Sequence, residues 1–453
     1  ERTIDLARRR TSDRQIGTSA FDFLRRVLFL EPALYAQDLR DEYLRFVMRW
    51  QQFTGPVMAK GLEDTAYYVH NSLISMNEVG GDPLRENPPR DLAGFHKFQK
   101  ERLKAWPYSM NATATHDTKH GEDARARLNV LSQIPREWEK HLLRWAHLNQ
   151  RHKTEVKGIP VPAPSEVAML YQTLLGSWPF DANEEAEFQN RVLEYLKKAV
   201  REAKVYSEWI RPNEAHESAL FRFAQQIFSN GSGPFQDDFR RFQRKIAWHG
   251  ALNSLSQVLI KITAPGVPDF YQGTELWDFS MVDPDNRRPV DFAKHVQILE
   301  EIRKLPGESS TRLSREVLSK WKDGRIKLYL IDRALDFRRA HAEVYLEGDY
   351  TPIEAHGPGQ PCLCAFARKK DGHWCVTVAP RLTTRLVATG RMPLGKAVCG
   401  TTMVQLPAAA PESWQNILTG ERLKTSRAAD GRKALALADV LSRFPVALLS
   451  TAE

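Results

Sequence analysis

The sequence predicts an α/β chain in which short buried strands end in polar, chemistry-bearing loops, followed by a β-rich C-terminal part. Three observations predict it. Small and β-branched residues from Ala112 to Thr115 give way abruptly to the polar string HDTKHGED, before a helical pattern begins near Asp123. A second apolar run, Leu259 to Thr263, reads as a short strand leading into a turn compacted by Gly266, Pro268 and Gly273. After about Thr311 a helix through Tyr329 to Arg339 passes into alternating segments: CLCAFARKK, HWCVTVAPRL, ESWQNILTGERL and PVALLST. Turn signals at Lys370-Asp371-Gly372 and Thr419-Gly420 separate them, which predicts an antiparallel β-sandwich over 311–453.

Length and composition narrow the classes. A chain of 453 residues exceeds one typical domain, and 42% apolar residues suffice for a large core. No stretch approaches the roughly 20 apolar residues of a membrane span, and ERTIDLARRR lacks the apolar centre of a signal peptide, so no membrane partner and a cytoplasmic location are expected. The net charge of +9 would suit nucleic acid, but both signs are spread along the chain without a basic block or a recognised motif, so no such partner is expected. Cys362, Cys364, Cys375 and Cys399 match neither a zinc spacing nor a secreted disulfide framework, and reduced thiols in strands are expected. His141, His147 and His152 share no i,i+4 ligand geometry, so no metal and no cofactor are expected.

The first fifty residues read as two helices separated by Pro32. A short strand is expected over Pro56 to Ala59, then a helix and a Gly-Gly-Asp-Pro turn, closing a first region, 1–128. Lys60, Glu63, Asp64, Asn77 and Glu78 flank Tyr67 and Tyr68 there. Polar groups around an aromatic floor suit a pyranose, which offers hydroxyls at its rim and C–H bonds on its faces, although buried tyrosines more often serve the core. The region 129–246 reads as a helical insertion with Trp138, Trp145, Trp178 and Trp209, broken by a Pro-rich turn at Pro160 to Pro164. The region 247–310 carries the second strand, then Tyr271, Glu275 and the loop Asp283 to Pro289, stiffened by two prolines. Trp374 and Trp414 read as core, and Arg333, Arg338 and Arg339 as the solvated face of a packing helix.

Asp117 is the first candidate for a working carboxylate, because a strand end fixes a side chain while the following loop opens it to substrate. A helix cap is the competing role for such an Asp.

Four strings in order, GPVMAKGLEDTAYY, NEVGGDP, ATATHDTKHGED and GVPDFYQGTELWDFSMVDPDNRRPVDF, closely resemble the maltooligosyltrehalose synthase family of the α-amylase superfamily of glycoside hydrolases. The similarity runs over most of the chain and covers the C-terminal part of such an enzyme. It implies the C-terminal part of a (β/α)8 barrel with a large helical insertion, His116-Asp117 ending the seventh strand and GVPDFYQGTE following the eighth, then the β-sandwich. It also implies an isomerase that converts the reducing-end α-1,4 bond of a malto-oligosaccharide into an α,α-1,1 bond in trehalose biosynthesis. Asp117 would stabilise the oxocarbenium-like transition state, with His116, Lys60, Glu63, Lys119 and Tyr271 binding substrate. Lys60 and Glu63 would line the side where the released glucose turns.

Retention requires a carboxylate nucleophile and a carboxylic acid besides Asp117. The motifs that carry them in the superfamily, a Gly-Phe-Arg-x-Asp type and a Glu-bearing strand end, are absent here, so the expectation is a chain inactive alone and completed by an N-terminal half. A noncatalytic glucan-binding or regulatory protein with the same groove, and an α-1,4-glucan hydrolase portion, are the alternative readings.

Overall fold

The computed structural model describes every residue except 1, 12–15, 32–38, 82, 84–90, 230–232, 305–309, 429–430 and 452–453. Two compact units are present, Glu1–Tyr67 and Tyr68–Glu453. The boundaries expected at 128, 246 and 310 all fall inside the second.

The first unit is helical: α1 (Arg2–Arg10), α2 (Thr18–Leu28) and α3 (Arg40–Met58) precede a π-helical segment, Ala59–Ala66. Pro32 lies outside the described residues. No strand forms over Pro56 to Ala59. The helical pattern before it carries on through Pro56 in the last turn of α3, and a four-residue apolar run has too little periodicity to oppose it.

In the second unit, α4 (Leu92–Ala105) is capped by Asp91, whose carboxylate accepts the Gly94 N–H at 2.7 Å. It leads to β1 (Met110–Asn111) and α5 (Glu122–Leu128). The region expected as an insertion follows as α6 (Pro135–Leu148), the hairpin β2 (Thr154–Val156) and β3 (Ile159–Val161), α7 (Pro164–Ser177), α8 (Glu185–Ala203) and α9 (Glu214–Ser229). Then come α10 (Pro234–Thr263) and β4 (Val267–Pro268). Proline opens α6, α7 and α10, where its missing N–H has no helical partner to lose. Trp145 centres the insertion core: fully buried, it meets Tyr171, Phe235, Phe239 and Phe242, and its indole N–H donates to Asp238 at 2.8 Å.

The strands β1 and β4 pair in parallel, Met110 opposite Val267. Both expected strands here are displaced. Ala112 to Thr115 forms a loop after β1, because the hydroxyls of Thr113 and Thr115 bond locally, to Glu122 and to the Asp117 N–H, instead of lining a sheet. Leu259 to Thr263 ends the 30-residue α10, which is buried along most of its C-terminal half, so its apolar run lacks the one-sided period that marks a surface helix.

Helices α11 (Phe292–Lys304), α12 (Ser310–Ser319) and α13 (Arg325–Ala340) lead to the β-rich part. It comprises β5 (Asp349–Ile353), β6 (Ala355–His356), β7 (Leu363–Lys370), β8 (His373–Pro380), β9 (Met403–Gln405), β10 (Ser413–Asn416), β11 (Arg422–Lys424), β12 (Ser426–Arg427), β13 (Lys433–Ala436) and β14 (Ala447–Thr451). These form antiparallel sheets of order β11-β10-β14-β8-β7-β5 and β12-β13-β9-β6. Residues of both, among them Ala365, Val376, Trp414, Val404 and Leu435, share one apolar core. Trp374 and Trp414 are buried.

Two expectations need correction. Arg338 is buried, not solvated: it donates to the carbonyls of Ile262 and Gly266 at 2.5 and 2.8 Å, satisfying the end of α10. The four cysteines are free and buried, but only Cys364 and Cys375 lie in strands; Cys362 and Cys399 sit in helical turns.

Candidate active site

The residues after β1 fold into a tight turn held from two directions. The Thr115 N–H donates to Thr118 Oγ1 at 2.7 Å, and the Asp117 N–H to Thr115 Oγ1 at 3.2 Å. The Asn286 side-chain amide lies 3.4, 3.2 and 3.2 Å from the carbonyl oxygens of Thr115, His116 and Thr118, and Arg287 Nε donates to the His116 carbonyl at 3.0 Å. Opposite, the Lys119 N–H faces both oxygens of Glu78 at 3.1 and 3.2 Å. Arg125 Nε stands 3.4 Å from Glu78 Oε2 and donates to the His120 carbonyl at 3.0 Å. Burial pushes the Glu78 carboxyl up, against the pull of Arg125 and of the backbone N–H groups it accepts.

Within this turn Asp117 and Lys119 approach, Nζ to Oδ1 3.8 Å. Their exposure differs: 41% of the Asp117 side chain is open to solvent and 4% of that of Lys119. The carboxylate is therefore offered outward over a buried cation, and the His116 side chain beside it is exposed. A carboxylate so presented can meet developing positive charge without first losing its own hydration to burial.

Below the turn lies a buried ionic cluster. Lys327 Nζ is 2.6 Å from Glu122 Oε1 and 2.7 Å from Asp123 Oδ2, and Lys261 Nζ is 3.3 Å from Glu122 Oε2 and 2.8 Å from the Thr113 hydroxyl. Burial raises the Glu122 carboxyl, but Lys327 and Lys261 overcome this and hold it down to about 2. Burial would lower Lys327; the two carboxylates reverse that and hold it up. His120 is buried against Tyr195, hydrogen-bonds through neither ring nitrogen, and is pushed down to about 3 by burial and Arg125.

Tyr271 lies in a neighbouring cleft of about 200 Å³, with Arg191, Trp277, Asp285, Asn286 and His295 on its walls. Arg191 of α8 grips Asp285 through both oxygens at 2.6 and 2.8 Å, and Lys198 of α8 reaches Asp283 at 2.7 Å. The insertion is thereby tied to the loop that carries Asn286.

Of the residues expected in the site, His116, Asp117 and Lys119 come together in one turn, and Tyr271 joins them through Asn286. Lys60 and Glu63 belong to the π-helical segment of the first unit, where Lys60 Nζ is 2.5 Å from Asp64 Oδ2. Tyr68 is core, packed with Leu128 and Ile74. Arg125 and Asn286 were absent from the expected site residues, and Glu78, expected among the polar groups beside Tyr67 and Tyr68, instead holds the Lys119 N–H. The strings NEVGGDP and DPDNRRP marked two of their positions, but backbone gripping leaves no spacing signature. Among the described residues no group of three or more His, Cys, Asp and Glu side chains is arranged to hold a metal.

No family model matches the chain. A putative maltooligosyl trehalose synthase of Mycobacterium tuberculosis is 36% identical over 375 residues, 82% of this chain and 42% of the relative. The solved maltooligosyltrehalose synthase of Arthrobacter ramosus is 31% identical with a TM-score of 0.71, over 93% of this chain and 50% of that one. The chain resembles maltooligosyltrehalose synthases. A hypothetical maltooligosyl trehalose synthase of Sulfolobus tokodaii adds a third match, 29% identical with a TM-score of 0.67, over 92% of this chain and 49% of that one. The similarity to the synthases covers their C-terminal part, and the chain spans less than half the length of the curated relatives it matches.

Proposed function

We propose that this chain is the C-terminal part of a maltooligosyltrehalose synthase, with β1 and β4 as the seventh and eighth strands of a (β/α)8 barrel and the two antiparallel sheets as its β-sandwich. The observation that carries this reading is the outward carboxylate of Asp117 in the loop that follows a parallel strand, set in a turn held by Asn286 and Glu78.

In the reaction, a carboxylate from the N-terminal half attacks the anomeric carbon of the residue next to the reducing-end glucose, while a carboxylic acid protonates the departing glycosidic oxygen. Asp117 stabilises the positive charge spread over the anomeric carbon and ring oxygen, and His116 bonds the same sugar. The freed glucose turns, and its anomeric hydroxyl displaces the carboxylate. The former acid accepts that proton, so atoms and charge balance and no water is consumed. The setting is cytoplasmic trehalose formation from glucan, without metal or cofactor.

The test is product analysis on malto-oligosaccharide, with and without an N-terminal half carrying the two missing carboxyl groups. The expected result is loss of reducing ends without glucose release, seen only in the combination. Glucose release would instead show hydrolysis, and binding without turnover in the combination would show a glucan-binding protein. Asp117→Asn should lower the combined rate by at least about a hundredfold with folding unchanged, as expected when a transition-state charge partner is removed; near-normal turnover would remove Asp117 from this role.

A further inference from the structure

We propose that Asn286 and Glu78 are positioning residues for Asp117, acting on the backbone that carries it; this rests on the reading of Asp117 as a working carboxylate. The turn gives its carbonyls to one partner and an N–H to another. Three carbonyls, those of Thr115, His116 and Thr118, converge on the Asn286 amide nitrogen within 3.2 to 3.4 Å. The Lys119 N–H is shared between both Glu78 oxygens. The bonds of both residues are to backbone groups of the turn, and the Asp117 side chain stays 41% exposed, so together they set where it sits and leave its carboxylate open.

The chemistry of Asn286 supports more than packing. Three carbonyl oxygens require a donor, which fixes the orientation of the amide. Its Oδ1 is then left without a protein hydrogen-bond partner, so the protein contacts of this amide are spent on the carbonyls of the turn. Flipping the amide would satisfy nothing and set oxygen against three oxygens. Glu78 is likewise an expensive choice, a mostly buried carboxylate used on a peptide N–H. Displacement of a reacting group by about 1 Å costs on the order of a hundredfold in rate, which is the scale this grip protects.

The grip extends outward. Asn286 follows Asp285, the residue clasped by Arg191 of the insertion, and Glu78 is braced by Arg125 of α5. The turn is thus referenced to two separately anchored elements.

The test compares Asn286→Ala, Asn286→Asp and Glu78→Gln. In the whole 453-residue chain, hydrogen exchange at the amides of Asp117, Thr118 and Lys119 should quicken at least tenfold in each, with exchange in the β-sheets unchanged. In the chain combined with the N-terminal half, kcat for trehalosyl product should fall about ten- to a hundredfold with KM within about threefold. Asn286→Asp should be the most affected, since a carboxylate repels the three carbonyls. Unchanged exchange in the turn would overturn the grip. Quickened exchange with unchanged kcat would overturn its catalytic purpose. If the unsubstituted combination makes no trehalosyl product, the proposed function falls, while the exchange data still decide whether the two residues hold the turn.

Discussion

His120 is buried with an imidazole that stays neutral down to about pH 3 in the folded chain. Unfolded, it takes up a proton below its ordinary value of 6.5. Its depressed value therefore contributes stability that is complete above pH 6.5 and is lost as pH falls toward 3, at up to about 1.4 kcal/mol per pH unit. His249, lowered to about 4 mainly by burial, acts in the same direction. Urea unfolding between pH 7 and 4 should show the decline, and His120→Gln should flatten it. Lys327 offers a sharper test. Lys327→Met leaves Glu122 and Asp123 as buried carboxylates without their bridging cation and should cost about 3–5 kcal/mol in equilibrium unfolding. A smaller loss would mean that Lys261 takes over the bridge.

Among the elements, the contact of α5 with α10 decides how firmly the Asp117 turn is seated. Gly250, in the middle of α10, lies where a Cβ would come within 2.7 Å of the Arg127 Cα. Glycine weakens a helix interior by about 1 kcal/mol, so its presence records the close approach of α5. Gly250→Ala should push the helices apart and destabilise by about 1–3 kcal/mol despite the gain in helix propensity, measurable by thermal unfolding; stabilisation would show that the approach is slack. Element type was partly legible in the sequence. The β-rich end announced itself because half-buried strands alternate and their turns carry glycine. The two strands of the parallel pair were placed wrongly because each is two residues long, while the apolar run taken for one of them ends a buried helix. The candidate site was legible as far as side chains carry the chemistry: Asp117, His116 and Lys119 lie in one string. Glu78 and Asn286 act on peptide groups from 41 or more residues away, a relation that composition and spacing do not encode.

At the scale of the molecule, the surface around β1 bears on where the proposed N-terminal half would dock. Among the described residues β1 pairs with β4 alone, and Trp106, Tyr108 and Met110 beside it are 73%, 63% and 64% exposed. A parallel pair with open edges and exposed aromatic side chains is a binding surface for more strand and more core. The chain by itself should bind an apolar dye, and addition of the N-terminal half should suppress that fluorescence while protecting the 106–110 segment from protease. Unchanged dye binding would place the completing half elsewhere. The bidentate clasp of Arg191 on Asp285 has a consequence for anyone who trims or diversifies this scaffold. Through this clasp α8 splints the loop that carries Asn286, so, on the proposed function, shortening α8 would lower turnover before it lowered solubility, and libraries aimed at faster variants should leave α8 untouched.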